Sequence, residues 1–587
     1  MNLKNLLQKF PFFFPIIILL LTASTSIGQT PAIRLIQPYS ATTTVNSARQ
    51  FIIGSVEKNS ALSINGETVR VYPTGAFVHE LNLKAGSTSV ELKAVQPGGR
   101  ESSKTIRYVY ELPPAPKPVG SFDIETIQTV PEGNLILRPG DRISFRVKAL
   151  PGQSVSALGF VPLYERPVTT SEPMAGIYQG SYTLLETDSF SAQKVFARIT
   201  GPGGNSRDKY TGTTLSTAEA LPSDMAQTIG RLAHLEYGLG DDRLGGAKIG
   251  YLDSNVRLNI TGKIGSDYRV ELTKNRSAFI PEEHIRFLPT GSPAPQSLTG
   301  KLIAYGDERF DYVKLNLTDR LPYQSMQQTD PAALLVDVFG ATNNTNWVTH
   351  LSTAREIKQV DYEQLSDGIY RIKIMLHHKQ HWGHQIYYNG KDLVIKVRRQ
   401  PTDPALHHLT IAIDAGHGGK NNGAVGATGV YEKELTLLLS LELKKVLEKK
   451  GAKIIMTRTT DSFFDNKQRI LFYRDSLPDL LLSIHLNSSE DPLKVSGTSC
   501  YYRYAGFSKL AGSIHRHLQE LGLKDYGLTG SFNFMLNSPT EYPNALVETL
   551  FLSHPEEEMK MLDPPFRHSM ADKIVEGIEH FLHQSRN

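Results

Sequence analysis

The sequence predicts a multidomain chain, with several small all-β modules followed by a C-terminal α/β domain whose mixed sheet is flanked by helices on both faces. Three observations carry that expectation. The 587 residues are enough for roughly three to five domains at about 100–200 residues each. Up to about residue 400, apolar residues alternate with a period of two between turn dipeptides, which is the pattern of half-buried strands. After Pro401 and Pro404, strand-like runs alternate with longer helical periods, as in a layered α/β domain.

The first element is an export signal. Lys4 and Lys9 precede an apolar run from Phe10 to Leu21, and small polar residues follow to Gln29. That layout predicts a signal peptide over residues 1–28, with cleavage near Gly28. Twelve apolar residues fall short of the roughly 20 needed to cross a bilayer, so an uncleaved anchor is the weaker alternative. No cysteine stands at the cleavage point, which argues against a lipoprotein. The expected location is periplasmic or extracellular, with no stable membrane span after signal removal.

Composition narrows the function. Hydrophobic residues make up 40% and charged residues 21%, an ordinary globular balance. The net charge is only +4, from 63 basic and 59 acidic residues, and Lys4 and Lys9 supply two of it. So small an excess excludes nucleic acid as an expected partner. A single cysteine, Cys500, excludes intrachain disulfides and cysteine-based zinc clusters.

Residues 31–111 read as a β-sandwich. Leu62 and Ile64 alternate before the hairpin signal Asn65-Gly66, and Val69 and Val71 alternate after it; the segment is similar to bacterial immunoglobulin-like modules. Residues 112–120 contain Leu112-Pro113-Pro114-Ala115-Pro116-Lys117-Pro118, a stiff polyproline spacer. A second β module spans 121–220, with Ile143, Phe145 and Val147 alternating. Ser223 to Leu235 reads as a short helix. Residues 225–295, with Val256/Leu258/Ile260 and Tyr268/Val270/Leu272, resemble an SH3-like barrel. Residues 300–400, with Val313/Leu315/Leu317, Leu334–Val338, Ile372/Ile374 and Leu393/Ile395/Val397, resemble the AMIN-type modules that tether wall enzymes.

The last domain, 405–587, has predicted strands at Leu409–Ala415, Lys453–Thr457, Leu480–Leu486, Thr498–Tyr502 and Leu546–Leu550. Leu435, Leu438, Leu439, Leu443, Val446 and Leu447 fall at helical spacing, and Ser508–Leu521 and Phe566–His583 read as amphipathic helices. A further strand is expected at Asn533–Leu536.

Four positions in this domain carry chemistry. His417 sits in Asp414-Ala415-Gly416-His417-Gly418-Gly419, where glycines allow a sharp turn at the C-terminal end of a strand, the usual place for sites in open α/β sheets. Glu432 opens a helix, where an acid is also favoured by the helix dipole. His485 ends the very apolar strand from Leu480. Glu548 lies within Val547-Glu548-Thr549-Leu550-Phe551, where burial of a carboxylate is costly without a partner or a function. Neither a dinucleotide fingerprint nor a P-loop accompanies the glycines. Two histidines and a glutamate form a donor set that zinc favours, and a second carboxylate outside the set is a natural general base. No HExxH helix is present, so the chain is not a zincin.

The motifs Asp414–Gly419, Tyr431-Glu432-Lys433, Ser483-Ile484-His485, Asn533-Phe534-Met535-Leu536 and Val547-Glu548-Thr549 resemble, in this order, those of the zinc-dependent N-acetylmuramoyl-L-alanine amidases. The resemblance covers about Leu409 to Leu582. It implies Zn(2+) as cofactor, His417, Glu432 and His485 as metal ligands, Glu548 as catalytic acid–base and peptidoglycan as substrate, with division or activator proteins as candidate partners. Glu432, directly before Lys433, matches the family's ligand better than Glu434. Family members usually carry Pro where Ala415 stands and often Ser-Asn where Ser553-His554 stand. The competing readings are an inactive peptidoglycan-binding scaffold and a zinc hydrolase of another amide. His377, His378, His381 and His384 show no ligand spacing and read as a solvated cluster; Cys500 reads as a buried strand thiol.

Overall fold

The computed structural model describes residues 33–586, apart from 113–115, 171, 239, 241–243 and 366–367. The expected signal peptide and the centre of the polyproline spacer lie outside the described residues.

The architecture is a series of β modules followed by an α/β domain, as the alternation predicts. In the N-terminal module (33–110), a three-stranded sheet faces a five-stranded one across a core containing Ile52, Phe77, Leu92 and Tyr108. Its Asn65-Gly66 turn has positive φ at both residues, 50° and 83°, as the twist of a two-residue hairpin requires. Strands between Ile124 and Phe287 join one large sheet, in which Asn134–Leu137 pairs with both Ser206–Thr217 and Arg257–Ile264. A single apolar core runs on from Ala226 to Val397.

Where a helix is expected at Ser223 to Leu235, the chain forms the strands Met225–Thr228 and His234–Glu236. The first is hydrogen-bonded on both edges, to residues 257–259 and 285–287, and Gly230, with φ of 76°, breaks the run. Sheet pairing here overrides a weak local helical preference.

In the C-terminal region the strands are β1 (Thr410–Ala415), β2 (Lys453–Ile455), β3 (Leu480–Asn487), β4 (Thr498–Tyr501), β5 (Asp525–Thr529) and β6 (Asn544–Phe551). They form a mixed sheet in the order β2-β1-β3-β6-β4-β5, antiparallel only between β6 and β4. The helices are α1 (Glu432–Lys449), α2 (Asn466–Ser476), α3 (Ser508–Gln519), α4 (Pro555–Leu562) and α5 (Pro564–Ser585). Alternation along the strands explains the layering. Ile411, Ile413, Leu482 and Ile484 pack with α1, α3 and α5, while Ala412 and Leu481 pack with Ile470 and Tyr473 of α2.

Helix α2 is not anticipated from periodicity. Its signal is the capping box, in which Asp465 accepts from the Gln468 backbone N–H and the Gln468 side chain accepts from Asp465. The strand expected at Asn533–Leu536 is instead a loop ending in a 3-10 turn, Met535–Asn537. The alternating Phe532 and Phe534 mimic a strand, but Phe534 turns edge-on to His485 at 6.0 Å.

The histidine cluster of the preceding module is not wholly solvated. His381 and His384 are each 4% exposed, and their ring nitrogens meet the Gln328 carbonyl and the Ser325 hydroxyl. His377 and His378 are exposed, and His378 pairs with buried Glu356 at 2.6 Å. The α/β region rests on this module. Trp382, 2% exposed, belongs to the α/β core and packs on Phe581. Buried Arg398 donates to the Leu477 and Pro478 carbonyls and to Asp479, whose other oxygen accepts the first amide of β1.

Trp382→Ala should destabilise the α/β region by about 3–5 kcal/mol, the usual cost of emptying a buried aromatic site, although Trp382 precedes that region in sequence. A thermal transition of the α/β region unmoved by the substitution would contradict the shared core. Burial, with His381 adding like charge, pushes the His384 imidazole down to about 3. Below the unfolded value of about 6.5 the unfolded chain therefore binds more protons, so stability falls from about pH 6.5 towards pH 3. His384→Gln should flatten part of that slope in a melting-temperature series, and an identical slope would refute the contribution.

Candidate metal centre

The site forms where β1, β3 and α1 converge. Strand β1 ends at Ala415, and Gly416 donates to the Ile484 carbonyl of β3. A Cβ on Gly416 would stand 2.5 Å from the His485 ring, so only glycine lets that imidazole lie over the loop. His417 then adopts φ of 60°, a left-handed conformation that costs about 1–2 kcal/mol for a residue with a side chain. The turn is closed by paired backbone hydrogen bonds between Gly418 and Asn421.

That conformation is held from beneath. Arg469 donates to Asp414 at 2.7 Å and to the carbonyls of Ala415 at 2.8 Å and His417 at 2.5 Å. Arg458 donates to the carbonyls of Ala415, Gly416 and Lys433. Two forked cations thus take up three consecutive carbonyls, geometry a lysine cannot reproduce. Asp414 is fully buried and also accepts from the Ser483 hydroxyl at 2.9 Å. Burial and the nearby Arg469 push Arg458 down to about 10.

Glu432, 4% exposed, occupies the centre. One of its oxygens lies 3.1 Å from His417 Nε2 and accepts from the Ala424 amide at 2.8 Å. The other lies 3.1 Å from His485 Nδ1 and accepts from the Leu486 amide at 3.0 Å. The two rings are 4.9 Å apart and nearly perpendicular. Asn421 Oδ1 stands 3.0 Å from His417 Nδ1, which fixes Nδ1 as the protonated nitrogen and turns Nε2 into the site. Burial opposes the charge on Glu432, but the two histidines hold its carboxyl far below the usual range. Burial likewise opposes charge on His485, but Glu432 and then Glu548 raise its pKa above the ordinary imidazole value.

The structure therefore brings His417, Glu432 and His485 together, with one ligand atom from each lying within 4.8 Å of the others. Glu548 stands on β6 directly opposite His485 of β3, half-buried at the edge of the set. Glu434 stays outside; it is exposed and caps α1 by accepting from the Tyr431 amide. Cys500 is fully buried, and burial pushes its thiol up. The donor set suits a divalent metal. A carboxylate facing two imidazole nitrogens needs shared positive charge, and neutral imidazole and carboxylate are zinc's ligands.

Sequence reasoning missed Arg458, Arg469 and Asn421, and gave Asp414 no role. The available signal was Asp414 itself, a carboxylate at the end of the apolar run Thr410–Ala415, because a buried charge implies a buried partner. Arg469→Leu would leave that charge uncompensated. It should cost about 3–5 kcal/mol, read as a lowered melting transition of the α/β region; an unchanged transition would show that Asp414 finds its neutralisation elsewhere.

The C-terminal α/β region is similar to known proteins. The family described as N-acetylmuramoyl-L-alanine amidase matches residues 411–580. YqiI of Bacillus subtilis (strain 168), described as an uncharacterized protein, is 32% identical over 200 residues, covering 33% of this chain and 95% of YqiI. "Probable cell wall amidase LytH" of Staphylococcus aureus is 32% identical over 176 residues, 30% of this chain, and the match spans 58% of LytH. Among solved structures, the catalytic domain of CwlV, an N-acetylmuramoyl-L-alanine amidase from Bacillus (Paenibacillus) polymyxa var. colistinus, is 32% identical, covers 30% of this chain and 98% of that one, and superposes with a TM-score of 0.29. Through its C-terminal α/β region, the chain belongs to the N-acetylmuramoyl-L-alanine amidase family.

Proposed function

We propose that the chain is an exported peptidoglycan hydrolase that cleaves the amide joining the lactyl group of N-acetylmuramic acid to L-alanine, with His417, Glu432 and His485 holding zinc and Glu548 as general acid–base. The observation that carries this reading is the Glu432 carboxylate bridging two imidazole nitrogens at 3.1 Å each, with Glu548 on the neighbouring strand opposite His485. Zinc in that set would supply Lewis acidity toward the scissile carbonyl and toward water.

The chain's own groups supply the rest. Asn421, Ala424 and Leu486 orient the donors before substrate arrives, so little reorganisation is left for the reaction itself. The Glu548 carboxylate takes the proton of the attacking water and returns it to the departing alanine nitrogen. One amide bond breaks, and the water's hydroxyl and proton are divided between the lactyl carboxylate and the free amine. Phe534, edge-on to His485, walls the site on one side. Its loop is fixed by Asn533, which donates to the Gly246 carbonyl at 2.7 Å and accepts from Arg503 at 2.6 Å.

Export through residues 1–28 belongs to the same proposal, as does a role in wall turnover or daughter-cell separation. Among the described residues no helix is long and apolar enough to cross a membrane. Among the described residues the interval from His485 to Glu548 holds one α-helix, α3, with strands, two 3-10 turns and loops making up the rest.

The test is digestion of purified sacculi, followed by mass spectrometry of the released ends. Free L-alanine amino termini and lactyl carboxylates are expected, and cleavage of any other bond would overturn the substrate assignment. Glu548→Gln should keep zinc while losing roughly 10²–10⁴-fold in rate, the magnitude of general acid–base catalysis. Glu432→Gln should lose the metal. If the two outcomes were exchanged, the two roles would be reversed.

A further inference from the structure

The N-terminal module makes three polar side-chain contacts with the α/β region, each within eight residues along the chain of a member of the proposed catalytic set. Arg34 donates to the Thr428 carbonyl at 3.0 Å, four residues before Glu432. Arg49 pairs with Asp491 at 2.7 Å, six residues after His485. Arg70 pairs with Glu556 at 2.8 Å, eight residues after Glu548. Between these contacts Ala427, 1% exposed, packs against Tyr72 and Ala76.

The hairpin under this contact leads straight into the metal set. Gly426 donates to the Val430 carbonyl, Gly429 donates to Gly426, and the Glu432 amide donates to Ala424. Ala424 in turn gives its amide to the Glu432 carboxylate. From the inner side, fully buried Glu558 accepts both the amide and the hydroxyl of Thr428. The hairpin is thus gripped by Glu558 within and by the N-terminal module without. The Arg34 guanidinium lies so close over Gly429, whose φ is 87°, that a Cβ there would clash.

We propose that Arg34, Arg49 and Arg70 are positioning residues for the catalytic set, and that the N-terminal module acts as a clamp on the hairpin before Glu432, the loop after His485 and the start of α4 after Glu548. This rests on the zinc-site reading above. In this account the module is part of the catalytic apparatus, beyond any part in binding or spacing. Groups that orient metal ligands from outside are typically worth 10–100-fold in metal affinity or activity. The ion pairs themselves are partly exposed, with side chains 19–69% accessible, so each contributes little to overall stability. Losing the clamp should therefore loosen the site without unfolding either part.

The experiment uses the full chain. The triple variant R34A/R49A/R70A should exchange backbone amides faster at 424–431 and 488–495 in metal-free protein. It should surrender zinc to a competing chelator at about tenfold lower chelator concentration, and lose kcat on a soluble muropeptide more than it changes KM. Arg70→Glu alone should move the same readings part of the way, and R70E/E556R should restore them. Near-ultraviolet circular dichroism of each variant reports that the modules stay folded. Wild-type exchange and zinc retention in the triple variant would overturn the clamp, as would failure of the exchanged pair to restore the readings. If wild-type protein held no zinc, the metal reading would fall, while the amide-exchange arm would still decide the clamp.

Discussion

A buried carboxylate aimed at two imidazole nitrogens cannot stand alone in a protein interior. Glu432 must share positive charge with something, and the two backbone amides it accepts offset only part of its desolvation. The surrounding structure serves to keep that unfavourable arrangement in register. Gly416 makes room for His485, Arg458 and Arg469 tie down the carbonyls around the left-handed His417, and Asn421 turns the His417 ring. Alignment of β1, β3 and β6 then brings His417, His485 and Glu548 to one end of a sheet. Glu432 reaches the same end from the start of α1, so that His417, Glu432 and His485 meet there.

The β modules enter that same constraint. Trp382 fills the α/β core, Arg398 binds the segment before β3 whose Asp479 accepts from β1, and Gly246 and Lys248 engage Asn533 of the loop that carries Phe534. On the other side the N-terminal module reaches the hairpin before Glu432. A donor set assembled from the ends of two strands and the start of a helix is only as exact as the packing behind those elements. Here much of that packing comes from segments with no catalytic groups of their own.

What the sequence disclosed follows from where information is local. Period-two alternation marked strands such as Arg142–Ala149 and Asp392–Arg398 because one face of each is buried. The glycines around His417 and the acid inside β6 stood out because each is expensive unless it has a purpose. Long-range partnership left no local trace. Nothing near Arg469 announces that it holds Asp414 fifty-five residues away, and nothing near Trp382 announces that its core lies beyond Pro404. The false strand at Asn533–Leu536 has the same origin, since alternation records which side chains face together and not whether a neighbouring strand is there to pair. His381 and His384 looked solvated because a polar stretch gives no sign of the surface that later covers it.

The central claim is that this donor set is a zinc site. Anomalous diffraction collected on either side of the zinc absorption edge, from crystals of the full chain grown with zinc, addresses it without reference to turnover. The account predicts one strong peak bounded by His417, Glu432 and His485, with ligand distances of about 2.0–2.2 Å and Glu548 outside them. A peak that includes Glu548 in place of Glu432, or zinc bound only elsewhere on the chain, would contradict it.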